Sequence, residues 1–236
     1  MIENQIKALL SDYHKNLISS LKGLELKTIL KRKNPYLFRA KSLNTSEALI
    51  KSILDAYISS SEEGMFGTFL EQIAILVCEH SYGGSKSAAE GIDLEFSRDG
   101  IKYLVAIKSG PNWSNSSSLK KLKENFSKAK RILGTNSTKV NVVAVNGCCY
   151  GKDNNPDKGD YLKYCGQRFW EFISGDENFY LDIIEPLDAD SEDKPDNFEE
   201  EFAKVINKFT REFSNTYCDE DGSINWHELL KFNSGI

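Results

Sequence analysis

The stretch GIDLEFSRDGIKYLVAIKSG, residues 91–110, decides the fold because it predicts a two-stranded β-hairpin. Apolar and polar residues alternate along both halves, and Asp99-Gly100 between them is a strong signal for a two-residue hairpin turn. That turn sets a register in which one face of the hairpin is apolar throughout. The facing apolar pairs are Ile92 with Ile107, Leu94 with Val105 and Phe96 with Tyr103. On the other face Asp93 lies opposite Ala106, with Lys108 one pleat further along.

An acid and a lysine at the open end of a twisted hairpin have a chemical meaning. A carboxylate can hold a divalent metal ion, and a nearby ammonium can orient a water molecule or neutralise charge, so the pair can support phosphodiester hydrolysis. Asp93, Glu95 and Lys108 share the second face of the predicted hairpin. Because an Asp, a turn and a Lys arise by chance in many sheets, the weight of this pattern depends on the flanking sequence.

The flanking sequence resembles one group of type II restriction endonucleases within the PD-(D/E)xK nuclease superfamily. In that motif an Asp on one strand is followed, after a turn, by an acid-x-Lys triplet on the next strand. Asp93 matches the first acid and Lys108 the lysine, whereas Ala106 stands where the second acid is expected. The resemblance extends from about Lys33 to the end of the chain. The segments that carry it are KNPYLFRAK (33–41), SSSEEGMFGTFLEQIA (59–74), IKSGPNWSNSS (107–117) and CGQRFWEFISG (165–175).

The resemblance implies Mg²⁺ as the cofactor and gives three residues of the hairpin a role. Asp93 would be a metal ligand, the backbone carbonyl of Ile107 a further ligand, and Lys108 a catalytic residue. A methyl group cannot bind Mg²⁺, which prefers oxygen ligands, so Ala106 leaves two possibilities. Either the second acid comes from elsewhere in the chain, or the site is inactive.

Glu71 is the preferred substitute for the missing acid. It lies within the apolar run FLEQIAILV, where a charged residue needs a reason because unpaired burial is costly. In the superfamily that the chain resembles, a glutamate from the helix before the hairpin often reaches the metal. Glu95, two residues from Asp93 on the same face, is the rival, and Glu90 is a more distant candidate.

Two polar segments are predicted to contact DNA. The tract GPNWSNSSSLKKLK, residues 110–123, follows the strand that ends in Lys108, where the related enzymes approach their substrate. The sequence CGQR, residues 165–168, begins a helix after a turn, and its assignment rests on the resemblance alone. The predicted DNA-binding residues are Asn112, Trp113, Asn115, Lys120, Lys121, Lys123, Gln167 and Arg168.

The composition is typical of a soluble globular protein, with 40% hydrophobic and 28% charged residues. No apolar run approaches the length that crosses a bilayer, and the N-terminal sequence lacks a secretory pattern. The five cysteines have no CxxC spacing, which favours reduced thiols over disulfides or a zinc site. These features predict a cytoplasmic protein without membrane association.

The charge is unevenly distributed around a net value of −5. Acidic residues concentrate in residues 185–202, EPLDADSEDKPDNFEEEF. Basic residues concentrate in residues 26–41, LKTILKRKNPYLFRAK, and 116–133, SSSLKKLKENFSKAKRIL. A DNA-facing surface and a solvent-facing back would produce this asymmetry, and solvated helix faces would look similar.

Hydrophobic periodicity predicts an α/β fold with a mixed central β-sheet flanked by helices, as in the PD-(D/E)xK core, and with extra N- and C-terminal helices. The predicted helices are 2–21, 45–57, 62–80, 116–133, 167–173 and 198–213, with a break at Ser59–Ser61. Besides the hairpin, strands are predicted at 139–145 and 179–184. The predicted domains are 1–58, a helical region for dimerisation or DNA clamping, 59–187, the nuclease core, and 188–236, an acidic linker and helix.

The predicted function is that of a Mg²⁺-dependent, sequence-specific endonuclease of double-stranded DNA, a type II restriction enzyme. A palindromic target and one site per strand imply a homodimer, and a cognate DNA methyltransferase is expected in the same host. Two alternatives stay open. One is a PD-(D/E)xK nuclease, such as a repair enzyme, that does not read sequence. The other is a DNA-binding protein that has lost catalysis because of Ala106.

Overall fold

The computed structural model describes residues 2–134, 141–188 and 198–235. Packing divides the chain into two compact units, residues 1–10 with 66–191 and residues 11–65 with 192–236. One helix, α4, contains the boundary at 65/66. The three predicted domains with their limits at 58/59 and 187/188 stay a prediction, since they were defined by roles in dimerisation, catalysis and linkage. None of the helices in the described ranges is long and apolar enough to span a bilayer.

Nine α-helices lie within the described residues. Their bounds are α1 Ile2–Lys22, α2 Leu26–Arg32, α3 Pro35–Ala40, α4 Ser46–Tyr82, α5 Ser116–Gly134, α6 Gln167–Ser174, α7 Phe179–Asp182, α8 Phe198–Tyr217 and α9 Trp226–Ser234. The five strands are β1 Ser85–Lys86, β2 Leu94–Arg98, β3 Ile101–Lys108, β4 Asn141–Cys148 and β5 Leu162–Cys165.

The unit of residues 66–191 is built on one five-stranded mixed sheet in the order β1-β2-β3-β4-β5. The pairs β1–β2 and β2–β3 are antiparallel, whereas β3–β4 and β4–β5 are parallel. Helices flank this sheet, and further helices stand at both ends of the chain. The α/β fold with a mixed central sheet and extra terminal helices is therefore confirmed.

The hairpin β2–β3 has the predicted register, with Leu94 opposite Val105 and Phe96 opposite Tyr103. Asp99 and Gly100 both have positive φ, 54° and 75°, as the two central residues of a type I′ turn require. The strand β3 is buried more completely than the alternation suggests. Its second face, through Leu104, joins an apolar cluster whose other members include Leu122 and Phe126 of α5.

Two secondary-structure predictions are wrong. The helix α4 runs unbroken through Ser59–Ser61, because three serines cost a long helix only a few tenths of a kcal/mol each, too little to interrupt it. Residues Phe179–Asp182 form a short helix in place of the predicted strand, and the fifth strand is Leu162–Cys165. Short apolar runs do not distinguish a strand from a helical turn by periodicity alone.

The second unit is helical, with a core formed by α2, α8 and α9 together with residues of α4 up to Met65 and the C-terminal part of α1. Thr45 caps α4, since its hydroxyl accepts a hydrogen bond from the Ala48 N–H at 3.2 Å. Asn34 caps α3 in the same way by accepting from the N–H groups of Tyr36 and Leu37.

Candidate active site

Asp93 lies one residue before β2 and continues the ladder with β3. Its backbone N–H donates to the carbonyl of Val105 at 2.9 Å, and its carboxylate Oδ2 accepts from the N–H of Ile107 at 2.6 Å. A side chain thus replaces the next backbone pair at the end of the hairpin. This bond fixes the carboxylate against β3, with only 22% of the side chain exposed.

Lys108 is the last residue of β3 and meets Asp93 as the register requires. Its Nζ lies 3.9 Å from Asp93 Oδ2 and 5.5 Å from the centre of the Trp113 ring. The ring face attracts the ammonium and shields one side of it from water. The hairpin therefore brings together the acid and the lysine predicted to share a face.

Glu71 reaches the same place from α4. Burial raises the pKa of its carboxyl group, the negative charge of Asp93 raises it further, and Lys86 and Lys108 partly offset the two effects. The Lys86 Nζ lies 3.6 Å from Glu71 Oε1. Burial also raises the pKa of the Cys149 thiol, just after β4, to about 12, and the Glu71 carboxylate adds to that shift. Glu71 is thus close enough to feel both charged groups of the hairpin.

The two rival acids are engaged elsewhere. Glu95 Oε1 lies 3.4 Å from the Nζ of Lys102, and its other oxygen accepts from the Ser87 hydroxyl at 3.5 Å. Glu90 forms an exposed ion pair with Lys121 at 3.5 Å. The geometry therefore favours Glu71 as the acid that joins Asp93 and Lys108.

The carbonyl of Ile107 points to the edge of β3 that Asp93 occupies. In a β-strand the N–H and C=O of one residue point the same way, and the N–H of Ile107 is the group bound to the Asp93 carboxylate. Since β2 begins only at Leu94, no strand residue covers this carbonyl from that side. The carbonyl oxygen and the carboxylate can accordingly face one cation.

Ala106 contributes no acid but is held firmly. Its side chain is fully buried in the apolar cluster between the sheet and α5. Asn146 on β4, 1% exposed, donates from its amide to the Ala106 carbonyl at 3.1 Å and accepts from the Trp113 indole N–H at 3.2 Å. Sequence reasoning missed Asn146, although a single Asn in the apolar strand NVVAVNGC is a visible signal.

The donors present suit Mg²⁺ better than a softer metal. Within the described residues no group of three or more His, Cys, Asp or Glu side chains could hold an ion. Two carboxylates and a carbonyl are hard oxygen donors, and Mg²⁺ commonly keeps several waters and takes only one or two carboxylates. Asp93, Glu71 and Ile107 therefore fit this ion in number and kind.

The predicted DNA-binding residues after β3 have mixed environments. Asn112 is exposed, and Asn115 caps α5 by accepting from the Ser118 N–H at 2.9 Å. Each of the three predicted lysines of α5 is paired with an acid of the same chain. The pairs are Lys120 with Glu124 at 4.0 Å, Lys121 with Glu90 at 3.5 Å and Lys123 with Asp160 at 2.8 Å.

Gln167 and Arg168 are exposed at the start of α6. The Gln167 amide donates to the carbonyl of Glu177 at 3.2 Å. Both residues line a cavity of about 710 Å³, whose walls also include Phe66 and Trp170. The structure leaves these two polar side chains accessible to a ligand.

One comparison with known proteins identifies the chain's relatives. The sequence model of the family described as "Type II restriction endonuclease EcoO109I" matches residues 1–195, which include the hairpin and both helices beside it. The chain belongs to this family. A search of curated proteins found no match. Membership of the EcoO109I restriction endonuclease family identifies the chain as a restriction-type nuclease, a hydrolase whose substrate is DNA, and the PD-(D/E)xK prediction is confirmed.

Proposed function

We propose that this member of the EcoO109I family is a Mg²⁺-dependent, sequence-specific endonuclease of double-stranded DNA that acts as a homodimer. The observation that carries the proposal is the meeting of Asp93, Lys108 and Glu71 at the open end of the β2–β3 hairpin. Three charged groups from separate segments converge there, although burying charge is costly unless the charges compensate each other. Such an arrangement is common at sites where charge has work to do.

Each residue has a defined task in hydrolysis. Asp93, Glu71 and the Ile107 carbonyl would hold Mg²⁺, which supplies Lewis-acid stabilisation of the phosphorane charge and lowers the pKa of bound water. Lys108, held between Asp93 and the Trp113 ring, orients the attacking water and neutralises charge that develops on the phosphoryl oxygens. The hydrogen bond from Ile107 keeps the Asp93 carboxylate in place while water exchanges around it.

DNA recognition is assigned to the surface on both sides of this site. Asn112, Trp113 and Asn115 follow β3 directly, and Gln167 and Arg168 lie exposed at the start of α6. Side chains with amide and guanidinium groups can read base edges, whereas lysines bind phosphates. A cognate methyltransferase in the same host would protect the sites that the enzyme reads.

The test is digestion of unmethylated phage DNA by the purified protein with Mg²⁺, beside Asp93→Ala and Lys108→Ala. Discrete bands for the wild type and intact DNA for both variants are expected. A smear in place of bands would mean a nuclease that does not read sequence. Activity that survives in both variants would remove the site from the hairpin.

Ala106 favours a second candidate function, a DNA-binding protein without catalysis. The acid expected at this position is absent, and the residue is buried among apolar side chains. In that case the wild type binds duplex DNA but leaves it intact with Mg²⁺ and with Mn²⁺. The Glu71 geometry argues for the active enzyme, since it restores an acid beside Asp93.

A further inference from the structure

A basic surface far from the hairpin in sequence stands out in the helical unit. Residues 26–46 carry six cations and no Asp or Glu, in a chain whose net charge is −5. These residues form α2, α3 and the turns that connect them to α4. We define the α2–α3 basic surface by its cations, Lys27, Lys31, Arg32, Lys33, Arg39 and Lys41. Five of the six are exposed, and Lys33 is half-buried.

The cations of this surface are supported by aromatic rings and not by acids. Four of them lie over rings of the same unit, and none forms an ion pair with a described carboxylate. The contacts are Lys31 with Phe232 at 5.7 Å, Lys33 with Tyr57 at 6.0 Å, Arg39 with Trp226 at 5.3 Å and Lys41 with Phe38 at 5.2 Å. A ring positions a cation without neutralising it, so the surface keeps its positive charge for an external anion.

The backbone beneath these cations is fixed in place. The Asn233 amide on α9 donates to the carbonyls of Leu30 and Lys33 at 2.8 and 3.3 Å. The Lys33 Nζ donates to the carbonyl of Ala56 on α4 at 3.0 Å. A surface that is already ordered loses less conformational entropy when it binds.

Two large apolar side chains stand exposed among the cations. Tyr36 is 66% and Leu37 51% exposed, whereas their neighbour Phe38 is buried and anchors α3. Exposed apolar groups surrounded by cations match the sugar-phosphate backbone, in which apolar sugar faces alternate with anionic phosphates. A partner with acidic side chains alone would leave Tyr36 and Leu37 without a complement.

The lysines of α5 provide an internal comparison. Residues 116–133 are as basic in sequence as residues 26–41, but Lys120, Lys121 and Lys123 are each paired with an acid. Their charge is partly neutralised before any ligand arrives. The α2–α3 surface has no such compensation among the described residues.

We infer that the α2–α3 basic surface binds the sugar-phosphate backbone of duplex DNA, as a contact separate from the catalytic hairpin. The inference rests on the proposed function and extends it to a second surface that contributes affinity without reading sequence. Phosphate contacts release counterions, so each one lost lowers the slope of log Kobs against log[salt] by about 0.9.

The experiment measures the affinity of the full-length protein for a short mixed-sequence duplex, without metal, over a series of salt concentrations. The test variant combines Lys27→Gln, Arg32→Gln and Lys41→Gln. Its slope should fall by about 2.7, so that the wild type loses about 40-fold more affinity than the variant between 50 and 200 mM salt. The charge-retaining set Lys27→Arg, Arg32→Lys and Lys41→Arg should keep the wild-type slope, and it separates lost charge from lost fold.

A matched control removes the same charge from paired lysines of the same unit. Lys15, Lys22 and Lys204 lie 3.4, 3.7 and 2.7 Å from acidic oxygens, and their combined change to Gln should leave the slope within a few tenths of the wild-type value. Equal slopes for the test set and the wild type overturn this inference while DNA cleavage by the wild type stands. A wild type that neither binds nor cuts duplex DNA overturns the proposed function as well.

Discussion

Glu71 supplies the negative charge that Ala106 cannot, and its contribution can be measured with a neutral isostere. Glu71→Gln keeps the shape of the side chain and removes one charge beside Asp93. We expect cleavage to slow by about 10²-fold or more, since charge stabilisation of this kind is typically worth 10² to 10³ in rate. Single-turnover cleavage of a plasmid at saturating Mg²⁺ measures the effect.

Glu95→Gln is the matched control, because Glu95 is an acid on the same face of the hairpin. Its carboxylate is paired with Lys102 at 3.4 Å and has no role at the site. Cleavage by this variant should stay within a few-fold of the wild type. A larger loss in Glu95→Gln than in Glu71→Gln would assign the second acid to the hairpin.

The raised pKa of Glu71 also predicts how stability depends on pH in the metal-free protein. Burial and Asp93 raise the pKa above its ordinary value of 4.5, so the folded state holds this proton more tightly than the unfolded state. The proton therefore favours folding at low pH, and this stabilisation is lost as the pH rises through the raised pKa. Glu71→Gln should be more stable than the wild type at neutral pH and equally stable below pH 4.5. Urea unfolding at a series of pH values checks this, and a wild type that is the more stable at neutral pH contradicts it.

Asn146 links the strand that carries the site to the loop that follows it. Its amide bonds the Ala106 carbonyl and the Trp113 indole, and Trp113 in turn supports Lys108. Asn146→Ala leaves buried polar groups without a partner and should lower the free energy of unfolding by about 1–3 kcal/mol. A double-mutant cycle with Trp113→Phe should show coupling of about 0.5 kcal/mol or more, whereas strictly additive losses would mean that the bond contributes nothing.

At the level of elements, the hairpin could be predicted because its signals are local. The residues with positive φ, Asp99 and Gly100, stand in the sequence where the turn needs them, and the alternation sets the register. The meeting of Asp93 with Lys108 follows from that register. Glu71 left only the indirect signal of a charge in an apolar run, because its contact with the hairpin is made between distant elements.

The continuity of α4 could not be predicted, because it depends on tertiary support and not on local preference. The exposed Gly64 lies in the same stretch as Ser59–Ser61, and a Cβ at this position would meet nothing within 4 Å. Gly64→Ala should therefore raise the free energy of unfolding by about 1 kcal/mol, the helix propensity difference between the two residues. A chain broken at the serines and irregular up to Gly64 would gain less than this.

Gly83→Ala is the control for this measurement, which thermal or urea unfolding provides. A Cβ at Gly83 also meets nothing within 4 Å, but the residue follows the end of α4 with φ of +64°. An L side chain in this left-handed conformation costs about 1–2 kcal/mol, so the change should destabilise the protein. Opposite signs for the two glycines would show that backbone conformation, and not space, decides the outcome.

At the scale of the whole molecule, the distribution of charge could be read from the sequence but its pairing could not. The segments 26–41 and 116–133 look equally basic. The partners of Lys121 and Lys123, Glu90 and Asp160, lie about 30 to 40 residues away and come close only through the fold. A count of charges therefore cannot separate a neutralised helix face from a surface that retains its charge.

The number of active sites needed to cut both strands provides a further test of the proposed function. Each chain carries one Asp93–Lys108 site, and a duplex with a two-fold symmetric target presents two equivalent bonds. A homodimer should therefore cut both strands in one encounter, with one site on each bond. In a heterodimer of wild-type and Asp93→Ala chains, purified through two different tags, one bond loses its site. Supercoiled plasmid should then accumulate as open circles, while the wild-type homodimer produces linear DNA directly. If the mixed dimer still yields linear DNA at the wild-type rate, one site cuts both strands in turn, and the requirement for two chains is removed.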